Sequence, residues 1–347
     1  MTPSRVCFAV TAGSARYPKR LVDPAFPTSR RVNIVLFGGT DLSLAIAELL
    51  TGLSAKLAGV VHVGEDVKIS YAPEGMRSAR YADVAGWAEE HGVPALAWDG
   101  QRSATAFVRE VGGELGLAAG WYHMLGTELR DSFAMGCAGL HASLLPLFRG
   151  GAPLNWAILS GATETGVSMF MLGEGVDDGP LLGQRSFPIT PRATIADLVD
   201  ASRHASLELV AEVLPALAAG TLKPTPQVGT PTYGQQRRPE DGAIDWSRSA
   251  EEIDRLVRAV GRPYGGAFTY LDGEQVTIWA AEPMTDVEVL GSPGQLWRAD
   301  GGEVGVVTGS AVLMIREATG NGGASVLDAL RSASNRRFGG AASPTTA

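Results

Sequence analysis

The 347-residue chain is 45% hydrophobic and 19% charged, a composition that sustains more than one core and excludes disorder over most of its length. Its net charge of −8 is uneven: residues 1–31 carry Arg5, Arg16, Lys19, Arg20, Arg30 and Arg31 against Asp23, which leaves −13 on the remainder and argues against general nucleic-acid binding. No apolar run is long enough for a spanning helix, and Cys7 and Cys137 are too few for a disulfide framework or a cysteine-built zinc site, so a reducing, cytoplasmic setting with no membrane contact is expected.

Residues 1–31 are rich in Pro, Arg and Ser and lack the apolar centre of a secretory signal, which predicts a flexible basic extension with Val6–Val10 as a candidate edge strand. Val32–Gly38 is an apolar run ending in glycine. A helical pattern over Leu42, Leu44, Ile46, Leu49 and Leu50 follows it, and Leu57–Val63 reads as a second buried strand. Tyr81–His91 and Ala104–Gly112 read as helices, with strands at Ala95–Trp98 and Leu115–Trp121. This alternation predicts an α/β fold, a doubly wound and mostly parallel Rossmann-like sheet, over residues 32–222. Gly38-Gly39-Thr40-Asp41 does not give the glycine spacing of a dinucleotide site. Thr194–Gly220 is a long helix opened by Thr194 and Asp197, with Pro215 expected to kink or end it.

Lys223–Pro239, rich in Pro, Thr and Gln, reads as a linker, taken as 223–240. Ser249 and Glu252 then cap a helix, and short strands follow at Ala267–Leu271, Gln275–Ala280, Gly294–Arg298, Gly305–Thr308 and Ala311–Ile315. Their spacing predicts a small, oligonucleotide-fold-like β-barrel over 241–338, before a tail at 339–347.

The segment from His141 to Trp156 and the loop Gly175-Val176-Asp177-Asp178-Gly179 stand out. His141 closes an apolar strand and is followed by a turn, the place where open α/β sheets display ligand-binding groups. A carboxylate within reach of an imidazole favours its protonated form and fixes its tautomer, and Asp177 lies in a glycine-flanked loop. By spacing alone the pair is equally a surface histidine and a turn aspartate.

The ordered set H-A-S-L-L-P (141–146), R-G-G-A-P (149–153), N-W (155–156), E-T-G-V-S (164–168) and G-V-D-D-G (175–179) resembles the formyltransferases that use 10-formyltetrahydrofolate. Gly242–Trp246, Gly266–Thr269 and Ile278-Trp279 resemble the carboxyl-terminal domain of the methionyl-tRNA type, so the resemblance runs over roughly residues 32–338. It implies that His141 and Asp177 are catalytic and that 10-formyltetrahydrofolate is the formyl donor. It places Trp121, Tyr122, His123, Met124 and Leu125 at the pterin, in a loop like that of amino-sugar members. Ser143, Leu144, Leu145, Pro146 and Asp178 border the folate on the same ground. Arg149 has either a structural role or substrate contact, while Asn155 and Trp156 read as helix packing. No metal is implied.

The chain departs from the family at Gly139, where most active transferases carry an asparagine two residues before the histidine. Ser143, His123 or a water would then replace the missing amide, or the activity shifts to hydrolysis of the formyl folate, or the chain binds folate without turnover. A glycine also leaves room for a bulkier substrate. Residues 226–347 hold 11 Lys and Arg against 15 Asp and Glu, and Val67–Arg80 offers only Lys68, Arg77 and Arg80. Phosphate binding needs clustered cations. On that count the expected acceptor is a small amine, such as a nucleotide-linked amino sugar or an amino acid derivative, with methionyl-tRNA ranked below it.

Overall fold

The computed structural model of the chain describes residues 31–53, 56–69, 72–333 and 336–339. The expected extension with Val6–Val10, and nearly all of the 339–347 tail, lie outside the described residues. No helix among the described residues is long and apolar enough to cross a membrane.

The buried run NIVLFG forms β1 (Asn33–Gly38), followed by α1 (Asp41–Gly52) and β2 (Lys56–His62). A hairpin of β3 (Asp66–Ile69) and β4 (Ala72–Arg77) precedes α2 (Val84–Glu90), β5 (Ala95–Ala97), α3 (Gln101–Glu110) and β6 (Leu115–Ala118). Then come α4 (Thr127–Asp131), β7 (Cys137–His141), the short β8 (Arg149–Gly150), α5 (Pro153–Leu159), β9 (Glu164–Met171) and β10 (Leu181–Pro188). The sheet order is β10-β9-β7-β6-β1-β2-β5. The five strands from β7 to β5 are parallel, and β9 runs antiparallel to both its neighbours. Because β2 and β5 are added on one side of β1 and β6 and β7 on the other, the connections diverge at the β1/β6 pair and open a crevice at their carboxyl ends.

One hydroxyl fixes that crevice. Ser43 Oγ accepts the Gly39 and Thr40 backbone N–H groups at 3.0 and 3.1 Å and donates to the Ala119 carbonyl at 2.6 Å, tying the end of β1 to the end of β6. Gly120, at φ +60°, follows. A Cβ there would stand 1.9 Å from Thr40 Oγ1, so the close approach admits only glycine.

Helix α6 (Ile195–Ala218) starts at Thr194, whose hydroxyl accepts from the Asp197 N–H while the Asp197 carboxylate accepts from the Thr194 N–H. Pro215 lies in its last turn and does not end it. The segment read as a linker is not free. It bridges Leu181 through Thr225 and adds β11 (Tyr233–Gly234) in parallel to β8. Its Gln and Thr side chains bond backbone rather than each other, which is why it shows no periodicity.

In the second unit, α7 (Ala250–Val260) packs on β12 (Ala267–Leu271) and the long β13 (Glu274–Met284). The strands β14 (Leu296–Arg298), β15 (Val304–Val307) and β16 (Val312–Thr319) follow, then α8 (Leu327–Ser332). The antiparallel order is β12-β13-β16-β15-β14. In place of a closed barrel, no ladder joins β12 to β14 among the described residues; Arg337–Gly339 spans the gap by bridging Gln295 and Tyr270. Phe338, 2% exposed, stacks on Trp246 at 5.3 Å between ring centres.

A single apolar core joins the two units: Leu154 and Ile158 of α5, Ile195 and Leu198 of α6, Ile253 and Val257 of α7, and Ile278 of β13. Beside it Asp254, 4% exposed, takes Arg192 at 2.9 Å and Arg258 at 2.8 Å, while Asn155 Nδ2 donates to the Ala259 carbonyl at 2.7 Å. Removing a buried carboxylate leaves two cations without it, so Asp254→Ala is expected to lower stability by about 3 kcal/mol in urea unfolding, as one cooperative transition.

Candidate functional site

The crevice at the β1/β6 switch holds a cavity of about 500 Å³. Its walls come from the loop Trp121–Leu125 after β6, from Gly139 and His141 of β7, from Gly173–Asp177 after β9, and from Tyr233–Gln236 of the crossing segment. His141 is 8% exposed at the end of its strand. Its Nδ1 lies 3.3 Å from Asp177 Oδ2 and its Nε2 lies 2.7 Å from the Phe148 carbonyl. Both ring nitrogens therefore face acceptors, a contact set that a ring with protons on both nitrogens satisfies. Asp177 Oδ2 also accepts the Gly150 N–H at 2.8 Å.

The backbone here is strained. Phe148, Ala152 and Asp177 hold φ of +54°, +50° and +49°, a region that costs side-chain-bearing residues energy and is retained where the surroundings over-determine it. The surroundings are specific. Phe148 N donates to Thr232 Oγ1 at 2.8 Å and Arg149 N to the Thr232 carbonyl at 2.8 Å. Gln227 and Tyr233 hold the Arg149 guanidinium, which gives Arg149 a structural role.

The inner wall is aromatic. His123 stacks on Trp98 at 5.2 Å and meets Trp121 edge-on at 5.4 Å, and burial pushes its imidazole below the usual histidine range. Trp121 Nε1 is buried without an acceptor. A flat heteroaromatic ring with an edge acceptor fits this wall. Tyr122 reaches the other way, its hydroxyl 2.7 Å from Ser78 Oγ below the β3–β4 hairpin.

Other residues expected at the folate do not line this cavity. Ser143 is fully buried and its hydroxyl donates to the Leu147 carbonyl at 2.5 Å, so it cannot replace a missing amide in the cavity. Leu144, Leu145 and Pro146 do not line it; the Leu145 N–H donates to Ser168 Oγ and its side chain is buried. The S-L-L-P turn builds the bend that carries Phe148 back to His141. Asp178 is also off the wall, its carboxylate folded over Gly173 and Gly175. The space at Gly139 is not spare: a Cβ there would stand 2.7 Å from Leu172 Cδ2 and 3.3 Å from Phe170 Cε1. Sequence reasoning missed Gln227, Thr232 and Gln236, whose segment carries no periodic signal.

A second cavity, about 730 Å³, adjoins the first and shares Gly120, Trp121, Tyr122 and Gln236 with it. It lies between the two units, and Arg77, Arg80, Arg237 and Arg238 line it. Arg77 pairs with Glu65 and Arg80 with Asp41. Arg237 and Arg238 pair with no carboxylate among the described residues. The Arg237 guanidinium lies over Trp156 at 5.2 Å, and its burial lowers its pKa.

The Formyl transferase family profile matches residues 71–214, and its C-terminal domain profile matches residues 237–329. The methionyl-tRNA formyltransferase of Citrifermentans bemidjiense is 37% identical over 231 residues, 65% of this chain and 71% of that protein. That of Geotalea uraniireducens is 37% identical over the same length, 72% of that protein. Among solved structures, an N-formyltransferase from Helicobacter canadensis, in complex with folinic acid and dTDP-3-aminofucose, superposes with a TM-score of 0.62 at 14% identity, over 83% of this chain and all of that one. HypX from Aquifex aeolicus gives 0.59 at 18% identity over 85% of this chain, which spans 46% of HypX. These two share the fold.

The relatives overturn the ranking of tRNA below a small amine, since proteins 34–37% identical to this chain are methionyl-tRNA formyltransferases. The charge count failed because it averaged over segments. Four arginines from two stretches 160 residues apart converge on one cavity; the net charge of −4 over residues 226–347 hides Arg237 and Arg238, and Arg77 and Arg80 were counted apart from them.

Gly139→Asn is expected to destabilise the protein by about 1–3 kcal/mol through overpacking, with much of the loss recovered by adding Leu172→Ala. Thermal denaturation of the single and double variants checks it, and an unchanged single variant would refute the packing account.

Proposed function

The chain belongs to the formyltransferase family, and from that premise we propose that it transfers the formyl group of 10-formyltetrahydrofolate to the amino group of methionyl-tRNA. The observation that carries the acceptor is the arginine-lined second cavity, which adjoins the cavity of His141 and Asp177 through Gly120, Trp121, Tyr122 and Gln236. Its guanidinium groups suit the phosphates of such an acceptor, and those of Arg237 and Arg238 are in no ion pair among the described residues. The identity of the relatives supports the same reading.

Bound in the first cavity, 10-formyltetrahydrofolate supplies an activated formyl carbon. Trp121 and His123 line the cavity for its ring, with Trp98 packed behind them. Transfer puts negative charge on the formyl oxygen and leaves a proton to be removed from the attacking nitrogen. His141, held between Asp177 and the Phe148 carbonyl, sets the edge of its ring beside the place where that charge develops. Asp177 Oδ2 keeps the ring in register, and Oδ1, which takes part in neither contact, accepts the proton; the tetrahedral adduct then collapses, breaking the bond from the formyl carbon to the folate nitrogen N10, which takes up that proton and leaves as tetrahydrofolate. Gly139 offers no side-chain donor, and Leu172 and Phe170 stand where its Cβ would point, so the His141–Asp177 pair carries this part of the site. Arg237 and Arg238 bind the acceptor's phosphates at the domain boundary.

Incubation with 10-formyltetrahydrofolate and methionyl-tRNA should yield N-formylmethionyl-tRNA, and His141→Asn should slow it by about 10²–10⁴-fold. Tetrahydrofolate release at one rate with and without tRNA would make the protein a hydrolase, and equal formylation of free methionine would remove tRNA as the acceptor. Arg237→Ala and Arg238→Ala should each raise KM for tRNA, lower the salt slope of binding by about 1 and leave KM for the donor unchanged.

A further inference from the structure

Gln227 uses its whole amide on three pieces of the site. Its Nε2 donates to the Asp177 carbonyl and to the Gly179 carbonyl, both at 2.8 Å, and its Oε1 accepts from Arg149 Nη2 at 2.7 Å and Nε at 3.2 Å. Asp177 sits at φ +49°, where an L-residue stays only under restraint. The restraint is visible: Gln227 holds the carbonyl of Asp177 outward while the Gly150 N–H and His141 hold the carboxylate inward. Arg149, the neighbour of Gly150, is fixed by the same Gln227 side chain. One amide therefore sets both the backbone that carries the carboxylate and the strand that offers it a donor.

We propose that Gln227 is a positioning residue for the Asp177–His141 pair, acting through the peptide plane of Asp177. The proposal rests on the reading of that pair as the reacting groups. Without the two N–H donors, the Asp177 backbone relaxes out of its left-handed conformation, and the carboxylate leaves His141 Nδ1. A carboxylate displaced by about 1 Å costs on the order of 10²-fold in turnover. Substrate binding is spared, because Gln227 touches neither the aromatic wall nor the arginine cluster.

The test uses the full chain with Gln227→Leu, Gln227→Glu, Asp177→Ala and the double variant Asp177→Ala/Gln227→Leu. Gln227→Glu keeps an acceptor for Arg149 and removes only the two donors, so it serves if the leucine variant does not fold. The first readout needs no substrate: ring ¹⁵N–¹H spectra, with His141 assigned from its loss in His141→Asn. In both Gln227 variants the His141 signals should move toward their positions in Asp177→Ala, and signals that stay at the wild-type positions would overturn the proposal.

The second readout is steady-state formylation. kcat should fall about 10²-fold with donor KM within about twofold, and Gln227→Leu should cost nothing further once Asp177 is alanine. Additive losses in the double variant would equally overturn the proposal. If the wild-type protein does not formylate methionyl-tRNA, the acceptor reading fails, while the ring spectra still decide the role of Gln227.

Discussion

An aspartate in a left-handed conformation has to be held against the end of a buried strand, and much of this molecule serves that contact. His141 is fixed because β7 is an interior strand between β6 and β9, with no freedom to shift its register. Asp177 is not fixed by a strand at all. It lies in a loop between β9 and β10, and its position comes from bonds that reach across from β8 and from the segment after α6. The rigid half of the pair is an outcome of the sheet. The adjustable half is an outcome of side-chain-to-backbone hydrogen bonds made over a chain separation of 50 residues.

The same division explains what could be read from the sequence. The parallel sheet was legible because β1, β2 and β6 are continuous apolar runs between glycines, a pattern only strands buried on both faces need. The caps at Thr194 and Ser249 were legible because a capping box is local. The histidine and aspartate were legible through a resemblance, as were the aromatic residues of the Trp121–Leu125 loop that line the cavity. Residues 223–236 were not. Gln227 and Thr232 act on backbone atoms of Asp177, Gly179 and Phe148, and nothing in their own neighbourhood marks them. The S-L-L-P turn was legible as a motif, and its residues shape the bend behind the cavity without lining it.

Charge was the most misleading signal. A sum over residues measures the far field of a domain, which governs solubility and encounter, whereas recognition is set within a few ångströms. Arg77 and Arg80 follow a hairpin in the first unit, and Arg237 and Arg238 end the crossing segment. Only the folded chain brings them to one wall.

The continuous core between the units has a consequence for how such a chain can change length. The apolar faces of α5 and α6, with Leu154, Ile158, Ile195 and Leu198, are covered by α7 and β13. A shorter form ending near residue 236 would not be the same catalytic unit with an accessory removed. It would present those faces to water as a contiguous oily patch and lose the lid on Asn155. Any chain of this fold that dispenses with the second unit must rewrite the outer sides of two helices in polar residues or cover them with another copy of itself. The carboxyl-terminal unit is thus a structural obligation of the first as much as a wall of the cavity between them.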